Sequence, residues 1–534
     1  RLGGYPDWQA LERQLKRATK ETARLYDRLI ADAGDERGDR LPDDPAALAK
    51  WLAGRKVKGA ATLVRLIERW RSGSIRALRS DEARRAFETL LPGLIRTLEL
   101  AADVTAAAAR FDSFLVKLPA GLQFFALLAA NPRLLPMLGR LLGVAPMLAD
   151  ALSLRPSLFD ALLGPDSFDP LPGEAALEAE LSALIAGSSM LEEQLDRVRT
   201  WTADRRFQIG AQLIEGRTDP LRAGADLSDL ADAAVRVLAA GVVAAFAAAH
   251  GSVPGCRLVV IGLGRYGGRA LTHASDLDLV YLFTGDHEAV STGARPLAAT
   301  VWFQRIAARL TAALSVPTAS GPLYVIDTRL RPSGAKGLLA VTVDSFRRYQ
   351  EVDAETWEHM ALTRARVVVA TPDDAAEVER IVAAILGRPR DPVRLRADVL
   401  AMRGDIAAAK PGGGLWDVKL GTGGLVDLEF IVQYFQLRDG VALMPDLGEA
   451  CRQLVAAGLL PTDIVASHDL QTRLLSLLRL AVTAKDMAGP FTPPVRSLLA
   501  QGAGCVDFAA TEAALALAKD HVRTAWKAAF AVNR

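Results

Sequence analysis

The chain of 534 residues is poor in cysteine and in aromatic residues, and it has almost no net charge. Its three cysteines, Cys256, Cys451 and Cys505, are far apart and form no CxxC pair, which argues against a disulfide framework or a zinc ribbon. The six histidines form no HxxxH pair, so no zinc site is predicted, and His273 is expected to be exposed in a loop. This cysteine usage is typical of a reducing compartment, and we expect a cytoplasmic protein.

The sequence also lacks an excess of one charge and a long uncharged apolar run. Its 64 basic and 62 acidic residues give a formal charge of +2, which argues against non-specific nucleic-acid binding by the whole chain. Only 6% of the residues are aromatic, so few platforms exist on which single-stranded bases could stack. Asp232 and Arg236 interrupt the most apolar stretch, 231–250, which favours a buried helix over a membrane span. We therefore expect no nucleic-acid partner and no membrane.

Alanine and leucine dominate the composition and half of the residues are hydrophobic, which favours a folded and mostly helical protein. Helical periodicity runs from residue 1 to about 250. β-rich runs follow at 257–261, 277–283 and 323–330, with a helical pattern from about 298 to 314. We therefore predict an α+β, predominantly helical fold. Its expected parts are a helical region over 1–160, a domain carrying the strands over 161–392 and a helical bundle over 393–534.

A basic segment spans residues 55–85, with ten lysines or arginines against three acids. A solvated helix face is the simplest interpretation of such a run, and a docking face for an acidic protein partner is the alternative. The low aromatic content makes a nucleic-acid surface a less attractive interpretation.

A glycine-rich segment, Gly262–Gly268, directly follows the first β-rich run and contains a literal GxGxxG. A dinucleotide-binding interpretation requires a crossover helix after this loop and an acidic residue about 20 positions on. The next β-rich run begins ten residues after Gly267, which leaves no room for a crossover of at least ~10–12 residues and its turns. The spacing therefore favours a glycine loop and a short link between two neighbouring strands over NAD binding.

Two aspartates stand at the start of the second β-rich run. Asp276 and Asp278 are two residues apart and share one face of a strand, whereas Leu277 and Leu279 face the other side. Two adjacent carboxylates repel each other and lose hydration unless a cation lies between them. Mg²⁺ prefers oxygen ligands and shares them with phosphates, which glycine N–H groups can approach. The glycine loop and the apolar strand favour this interpretation over a plain surface turn.

A third carboxylate, Asp327, lies in the third β-rich run. Strand alternation would place Asp327, Arg329 and Arg331 on one face. The simple interpretation is a salt-bridged strand. The functional interpretation is that Asp327 completes a two-metal site while the arginines offset phosphate charge.

Together, the glycine loop, the two aspartates and the later strand aspartate resemble the DNA polymerase β-like nucleotidyltransferase superfamily. Several longer blocks narrow this resemblance to the glutamine-synthetase adenylyltransferase family, and they extend over nearly the whole chain. The blocks are LVVIGLGRYGGRALTHASDLDLVYLF at 258–283, YVIDTRLRPSG at 324–334, 356–368, 387–392 and 423–437, with 58–73 and 109–123 in the helical front half. Arg265 stands where the family usually has Lys, and Ala270 where it often has Glu.

The resemblance implies a polymerase β-like nucleotidyltransferase core with a mixed sheet at 161–392, flanked by helical bundle domains. It implies transfer of AMP from MgATP to a tyrosine of glutamine synthetase, with pyrophosphate leaving and with two Mg²⁺ ions. Full-length members carry two such modules, one that attaches AMP and one that removes it. Blocks 324–334, 356–368 and 423–437 are more similar to the attaching, C-terminal module. The start at Arg1 also suggests part of a longer chain, and control by glutamine and a PII signalling protein is implied.

On this resemblance, Asp276, Asp278 and Asp327 are the expected catalytic metal ligands, and Asp327 is a candidate acceptor of the phenolic proton. Asp427 and Glu429 diverge by ~200° on a predicted helix and are not expected to share a metal. The residues expected at ATP and its phosphates are Gly267, Gly268, Ser275, Arg265, Arg329, Arg331, Arg364 and Arg366.

Three alternatives remain open from the sequence. The same fold could run the reverse, phosphorolytic removal of AMP from glutamine synthetase. The chain could be a non-catalytic regulatory module, against which the three aspartates weigh. A nucleotidyltransferase acting on a small molecule is disfavoured by the long helical flanks and the specific blocks.

Overall fold

A computed structural model of the protein describes residues 41–531, apart from 102, 120, 165–166, 189, 319, 484–486 and 488. Within this part the chain forms two compact units, which are described separately. Unit 1 contains the residues up to Glu99 together with Val104–Gly139, and unit 2 contains Leu100–Asp103 and the residues from Arg140 onward. Helices predicted before residue 41 lie outside the described residues. The predicted boundaries near 160 and 392 stay predictions.

The described part is mostly helical, as predicted. Its α-helices are α1 (Pro45–Gly54), α2 (Ala60–Arg71), α3 (Asp81–Glu99), α4 (Val104–Lys117), α5 (Gly121–Ala130), α6 (Leu134–Val144), α7 (Pro146–Leu154), α8 (Glu174–Ile185), α9 (Leu191–Ile214), α10 (Pro220–His250), α11 (Gly264–Gly267), α12 (Ala299–Ser315), α13 (Val343–Val352), α14 (Thr356–Leu362), α15 (Pro372–Leu386), α16 (Pro392–Ala409), α17 (Leu425–Asp439), α18 (Leu447–Ala456), α19 (Asp463–Ala481), α20 (Pro493–Ala503) and α21 (Phe508–Ala529). The strands are β1 (Leu258–Leu263), β2 (Leu277–Phe283), β3 (Ile326–Asp327), β4 (Ala340–Thr342) and β5 (Arg366–Val369). Short 3₁₀ helices lie at Arg76–Leu78, Pro156–Leu162 and Gly334–Lys336.

Unit 1 has a core of buried aromatic side chains. Leu63, Ile67 and Trp70 recur at helical spacing on one face of α2 and are completely buried. The Trp70 ring contacts Phe87 and Phe111 edge-on, with ring centroids 5.9 and 5.4 Å apart. Edge-to-face contacts of this kind add to the stabilisation that burial of the rings provides.

One buried carboxylate completes this core. Asp112 on α4 is buried and accepts the Nε1–H of Trp70 at 2.9 Å. Its second oxygen accepts a hydrogen bond from Nη1 of the half-exposed Arg69 at 2.7 Å. Asp112 thus satisfies an indole N–H that the packing of Trp70 removes from water.

Asp112→Ala is expected to lower the free energy of unfolding by about 1–3 kcal/mol, because the buried indole N–H loses its acceptor. The matched control is Arg69→Gln, which removes the half-exposed partner and is expected to cost less than about 1 kcal/mol. Urea unfolding followed by circular dichroism measures both effects. Equal losses for the two variants would contradict the assignment of Asp112 to the indole.

The basic segment 55–85 belongs to unit 1, and half of its ten basic residues have acidic partners. The pairs are Arg55 with Glu99, Arg69 with Asp112, Arg71 with Glu88, Arg84 with Asp81 and Arg85 with Glu82. These internal pairs reduce the positive charge that is available to an acidic partner. They support the interpretation as a solvated helix face, and the docking face stays a prediction.

The apolar stretch 231–250 forms the second part of α10 in unit 2. By length and composition α10 could cross a membrane, but 61% of its most apolar window is buried inside the protein. Asp232 is completely buried and pairs with Arg366, and Arg236 pairs with Glu174. Because neighbouring elements cover the helix and neutralise its charges, the structure supports the predicted buried helix.

A five-stranded mixed sheet in unit 2 has the order β3–β2–β1–β5. β1 pairs antiparallel with β2 along its whole length, from Leu258 opposite Phe283 to Leu263 opposite Asp278. β3 and β4 pair parallel with β2, and β5 pairs antiparallel with β1. Since β1 occupies one edge of β2, β3 and β4 follow each other along the opposite edge. Antiparallel β1 and β2 lack the crossover that the dinucleotide-binding interpretation required, as the spacing predicted.

Helices cover both faces of this sheet. On one face, residues 259, 261 and 263 of β1 and 280 and 282 of β2 join an apolar cluster with α13, α14 and α17. On the other face, Phe283 stacks on Phe303 of α12 with centroids 4.5 Å apart. Thr311 of α12 also donates a hydrogen bond to the Tyr281 hydroxyl at 2.9 Å. The ends of the strands are thereby held between two helical layers.

The predicted second strand and the helix near 298–314 are confirmed, but the third strand is much shorter than the run 323–330. Only Ile326 and Asp327 pair with β2. The Asp327 Oδ1 then accepts the backbone N–H of Arg329 at 2.8 Å, which bends the chain away from the sheet. The prediction that Asp327, Arg329 and Arg331 share one strand face is therefore wrong beyond Asp327. β4 and β5, with three and four residues, are too short to show a clear alternation in sequence.

Candidate active site

Three carboxylates meet where β2 begins. Asp278 lies opposite Asp327 in the parallel pairing of β2 with β3, and Asp276 directly precedes β2. Oxygen atoms of the three side chains lie within 4.8 Å of one another. The structure therefore brings together the three aspartates that the sequence singles out, from positions about fifty residues apart in the chain.

The three carboxylates have unequal proton affinities. Burial raises the pKa of Asp278 to about 6, and the charges of Asp276 and Asp327 add to the rise while Lys419 and Arg329 oppose it. Hydrogen bonds from Arg329 lower the pKa of Asp327, since the guanidinium Nε lies 3.0 and 2.9 Å from its two oxygens. Asp327 is therefore held ionised, whereas ionised Asp278 is costly unless a further cation neutralises it.

This carboxylate site fits Mg²⁺. All its donors are hard carboxylate oxygens, and like charges this close are stabilised by a divalent cation between them. A second acidic group, Glu174, Asp229 and Asp232, has the same spacing but already has arginine partners. Those partners are Arg236, Arg269 and Arg366. The charge balance therefore favours the aspartates of β2 and β3 over the second group as the candidate metal site.

The glycine segment forms a tight turn around α11 that only glycine permits. Gly264 has φ +56°, and a Cβ there would lie 2.2 Å from Oδ2 of Asp278. A Cβ at Gly267 would lie 1.8 Å from the Arg364 carbonyl oxygen. A Cβ at Gly268 would lie 2.5 Å from Nη2 of Arg364. These close approaches place the turn directly against Asp278 and against the segment that leads into β5.

The predicted phosphate contacts of this turn stay predictions. The Gly268 N–H donates to the Gly264 carbonyl at 3.1 Å, inside the turn. The Ser275 hydroxyl accepts the Thr272 N–H at 2.9 Å and shapes the link that leads to Asp276. A phosphate contact of the Gly268 N–H would have to share or replace its internal bond, whereas the Ser275 oxygen only accepts in the bond from the Thr272 N–H.

The five predicted arginines have different surroundings. Arg329 bonds to Asp327, and Arg331 instead donates to the Thr328 and Ala335 carbonyls, at 2.7 and 3.2 Å, within its own loop. Arg265 donates to the Ala270 carbonyl just after the glycine turn. Arg364 pairs with Glu429 on α17, and Arg366 pairs with Asp232 on α10. Arg331 and Arg366 are thus engaged with the protein itself, and their predicted nucleotide contacts stay predictions.

The buried pair of Arg366 and Asp232 anchors the glycine turn. The two guanidinium Nη atoms lie 2.6 and 3.0 Å from the carboxylate oxygens of Asp232, which is completely buried on α10. Arg366 also donates to the carbonyls of Tyr266 and Gly267, at 3.1 and 3.2 Å. One side chain thereby joins α10, β5 and the turn beside Asp278, which makes Arg366 a positioning residue.

Asp232→Asn is expected to lower the free energy of unfolding by about 3–5 kcal/mol, because it leaves the buried Arg366 guanidinium without its charged partner. Asp226→Asn on the same helix is the matched control. Asp226 is also buried but bonds the half-exposed Arg222, so its replacement should cost less than about 1 kcal/mol. Chemical denaturation of both variants tests the ranking, and a loss at Asp226 as large as at Asp232 would contradict it.

Asp427 and Glu429 face different partners, as their helical spacing predicts. Asp427 accepts a hydrogen bond from Nε of Arg403 at 2.6 Å and the Gly423 N–H at 2.6 Å. Glu429 lies 3.3 Å from Nη1 of Arg364. Asp427 therefore ties α17 to Gly423 in the turn before it, while Glu429 interacts with Arg265 and Arg364 near the glycine turn.

Sequence reasoning missed two cations near the glycine turn, Lys419 and Arg479. Burial lowers the pKa of Lys419, and the charges of Arg265 and Arg479 lower it further while Glu429 and Asp276 oppose the change. These mutual effects place Lys419, in the turn before α17, and Arg479, on α19, within electrostatic reach of the glycine turn. The only signal for Lys419 was its position in a glycine-rich segment just before the block 423–437. Arg479 lies in an ordinary amphipathic helix and gives no signal in the sequence.

The expectation of an exposed His273 is wrong. The ring is buried, and its Nε2 lies 2.9 Å from the Arg206 carbonyl oxygen. Burial lowers the pKa of His273 to about 4, and the neighbouring Arg206 charge adds to this effect. His273 is therefore a neutral packing residue that joins the loop after the glycine turn to α9.

Folding raises the pKa of Asp278 from 3.8 to about 6, so the ionised carboxylate destabilises the folded state at pH 8. Asp278→Asn removes this charge and is expected to stabilise the metal-free protein at pH 8 by up to about 3 kcal/mol. The gain should shrink as the pH falls through 6 and vanish near pH 4, where the folded carboxyl is protonated. MgCl₂ should raise the melting temperature of the parent at pH 8 and barely affect the variant.

Asp405→Asn, at an exposed helical position, is the control for this experiment. It should have parent-like stability at both pH values and a parent-like response to MgCl₂. An Asp278→Asn variant that responds to MgCl₂ as strongly as the parent would contradict the metal site.

Comparisons with known proteins match most of the described chain. The family model described as glutamate-ammonia ligase adenylyltransferase matches residues 135–381, and that described as GlnD PII-uridylyltransferase matches residues 414–527. A bifunctional glutamine synthetase adenylyltransferase/adenylyl-removing enzyme of Mesorhizobium japonicum is 38% identical over 488 residues, which are 90% of this chain and 49% of that protein. Proteins of the same name from Xanthobacter autotrophicus and Brucella suis are 39% and 37% identical over 98% and 94% of this chain, or 54% and 53% of their own lengths. The chain thus spans about half the length of the curated relatives it matches.

Proposed function

Because this chain belongs to the glutamine synthetase adenylyltransferase family, we propose that it transfers AMP from ATP to a tyrosine hydroxyl of glutamine synthetase. The observation that carries the proposal is the meeting of Asp276, Asp278 and Asp327 at one end of β2, beside the glycine turn. This arrangement places hard oxygen ligands for a divalent cation next to the glycine turn, where phosphates can approach the backbone because glycine has no side chain. Both are needed to hold a nucleoside triphosphate.

In the proposed reaction, the phenolic oxygen of the tyrosine forms a bond to the α-phosphorus of ATP. The bond from that phosphorus to the oxygen bridging to the β-phosphate breaks, and pyrophosphate leaves. Asp276, Asp278 and Asp327 would hold Mg²⁺, which when bound offsets the phosphate charge and lowers the pKa of the attacking phenol. The remaining work of the protein is positioning and charge stabilisation, which dominate phosphoryl-type transfers.

The lowered pKa of Asp327 bears on where the phenolic proton would go. Arg329 lowers the pKa of Asp327 through hydrogen bonds, which makes Asp327 a weak proton acceptor and a good permanent ligand. A phenol with a pKa of ~10 needs less help than an aliphatic alcohol. We therefore assign Asp327 to metal binding alone and let the proton pass to water at the exposed side of Asp276.

We further propose that the chain carries the attaching activity of its bifunctional relatives. The support is the greater similarity of blocks 324–334, 356–368 and 423–437 to the attaching module. The match of 414–527 to a uridylyltransferase family also supports a transfer role for the C-terminal helices, since adenylyl and uridylyl transfer differ in the base and share their phosphate chemistry. Glutamine and a PII signalling protein remain the regulators that the family implies.

The decisive test mixes the chain with purified glutamine synthetase and MgATP and follows the mass of the target by mass spectrometry. We expect a gain of one AMP on a tyrosine. Asp278→Asn should slow the transfer roughly 100-fold or more, because the metal site loses a charged ligand. Asp405→Asn should transfer AMP at the parent rate.

The reverse activity is separated by a second reaction mixture. Adenylylated glutamine synthetase is supplied with inorganic phosphate, and release of ADP is measured. ADP release without AMP transfer in the first mixture would replace the proposed function by phosphorolysis. Unchanged transfer by Asp278→Asn would overturn the role given to the carboxylate site.

A further inference from the structure

Four cationic side chains, Arg265, Arg364, Lys419 and Arg479, interact electrostatically with one another near the glycine turn. Burial lowers the pKa of Arg265 to about 10, Glu429 opposes this change, and the charges of Arg364 and Arg479 add to it. Lys419 belongs to the same set of charges, because Arg265 and Arg479 lower the pKa of Lys419 beyond the effect of burial. Like charges held this close repel one another, so the arrangement is costly unless an anion is present.

Carboxylates in the described part do not balance this cationic cluster of Arg265, Arg364, Lys419 and Arg479. Glu429 makes an ion pair with Arg364, at 3.3 Å. The side chains of Lys419 and Arg479 form no hydrogen bond or ion pair with any described residue, and neither is sealed inside the protein. Glu429 is the one carboxylate in an ion pair with these four cations, and Asp276 of the carboxylate site acts on Lys419, so the cluster keeps an excess of positive charge. That excess is available to a polyanion.

An unsatisfied donor marks the wall of the cationic cluster. Arg364 is 6% exposed, and its Nε has no hydrogen-bond partner among the described residues. The guanidinium packs against Gly268, where an added Cβ would lie 2.5 Å from Nη2 and 2.9 Å from Nε. A buried charged group that lacks one of its bonds is expensive, and ligand sites are a common reason to keep one.

Rigid elements hold the two cations that come from the C-terminal helices. Lys419 lies in a turn in which Asp417 Oδ1 accepts the N–H of Leu420 at 2.9 Å and the Lys419 carbonyl accepts the N–H of Val426 at 3.0 Å. Arg479 lies on α19, which is tied to the same turn by a 3.1 Å hydrogen bond from Gln471 Nε2 to the Gly423 carbonyl. Preorganised charges of this kind bind an anion without ordering a loop.

The cationic cluster borders the carboxylate site. Lys419 interacts electrostatically with both Asp276 and Asp278. A nucleotide whose α-phosphate lies at the aspartates would therefore extend its outer phosphates toward Lys419, Arg265 and Arg479. The negative charge of these two outer phosphates would offset the excess positive charge of the cationic cluster.

We propose that Arg265, Lys419 and Arg479, with Arg364 at the wall, form the site that holds the pyrophosphate portion of the nucleotide and keeps it until release. This inference rests on the proposed function and deepens it, because it assigns the leaving-group site to residues of α19 and of the turn before α17. No bond changes at these residues. They bind the same two phosphates before transfer as part of ATP and after transfer as free pyrophosphate.

Isothermal titration with pyrophosphate in the presence of MgCl₂ tests the site on the full chain. Lys419→Gln and Arg479→Gln should each weaken pyrophosphate binding about 10- to 100-fold, because each removes a charge-assisted contact. AMP binding should change less than about 2-fold, since AMP lacks the two outer phosphates. In the transfer assay, the same variants should raise the KM for ATP.

The controls separate charge from folding. Lys410→Gln and Arg380→Gln remove exposed cations without described side-chain partners, and both should bind pyrophosphate like the parent. Lys419→Arg and Arg479→Lys keep the charge and should recover most of the affinity. Thermal melting followed by circular dichroism shows whether each variant is folded. If a Gln variant is unfolded, the pyrophosphate affinities of Lys419→Arg and Arg479→Lys test the site instead.

The titration tests the pyrophosphate site, and the transfer assay tests the proposed function. Parent-like pyrophosphate binding by folded Lys419→Gln and Arg479→Gln overturns the inference, as does a parent that does not bind pyrophosphate. If AMP transfer succeeds while those variants bind normally, the proposed function stands and this site falls. If the variants lose pyrophosphate but the parent never modifies glutamine synthetase, the site stands and the proposed function falls.

Discussion

The buried ion pair of Asp232 and Arg366 is the interaction on which the geometry of the carboxylate site depends. Arg366 bonds the carboxylate of α10 and the Gly267 carbonyl of the glycine turn at once. The turn can then lie so close to β2 that Gly264 has room for no side chain beside Asp278. An apolar replacement of the pair could fill the same volume, but it could not bond the backbone of the turn. The main role of the pair is therefore to fix the position of the glycine turn relative to α10, rather than to add net stability.

Two opposite charge imbalances lie side by side in unit 2. Asp276, Asp278 and Asp327 bring negative charge to the end of β2, and the cationic cluster keeps positive charge beside the glycine turn. Each is unfavourable by itself, and Lys419 neutralises the aspartates only in part. A metal–polyphosphate complex contains both kinds of charge in the complementary order, cation toward the carboxylates and phosphates toward the basic residues. Binding it would satisfy both groups at once, which neither a free divalent ion nor a free anion does.

Much of the carboxylate site could be predicted from the sequence, because Asp276 and Asp278 stand at the start of an apolar strand and strand alternation fixes their common face. The partner Asp327 followed from its own β-rich run. The length of that run misled the prediction for Arg329 and Arg331, because a side-chain-to-backbone bond at Asp327 ends the strand, and no periodicity reports such a bond. Lys419 and Arg479 could not be predicted, since their approach depends on how distant helices pack. His273 was misjudged for the same reason.

The contact between Arg364 and Glu429 bears on what the smallest working piece of this protein is. Arg364 leads into β5, and Glu429 lies on α17, beyond the boundary near 392 that the sequence suggested. The apolar cluster crosses the same position, since it packs residues of β1 and β2 against α17. A chain cut at that boundary would expose this apolar surface and lose the groups that face the glycine turn. The strands and the C-terminal helices therefore form one structural unit, and a fragment that contains the sheet needs both.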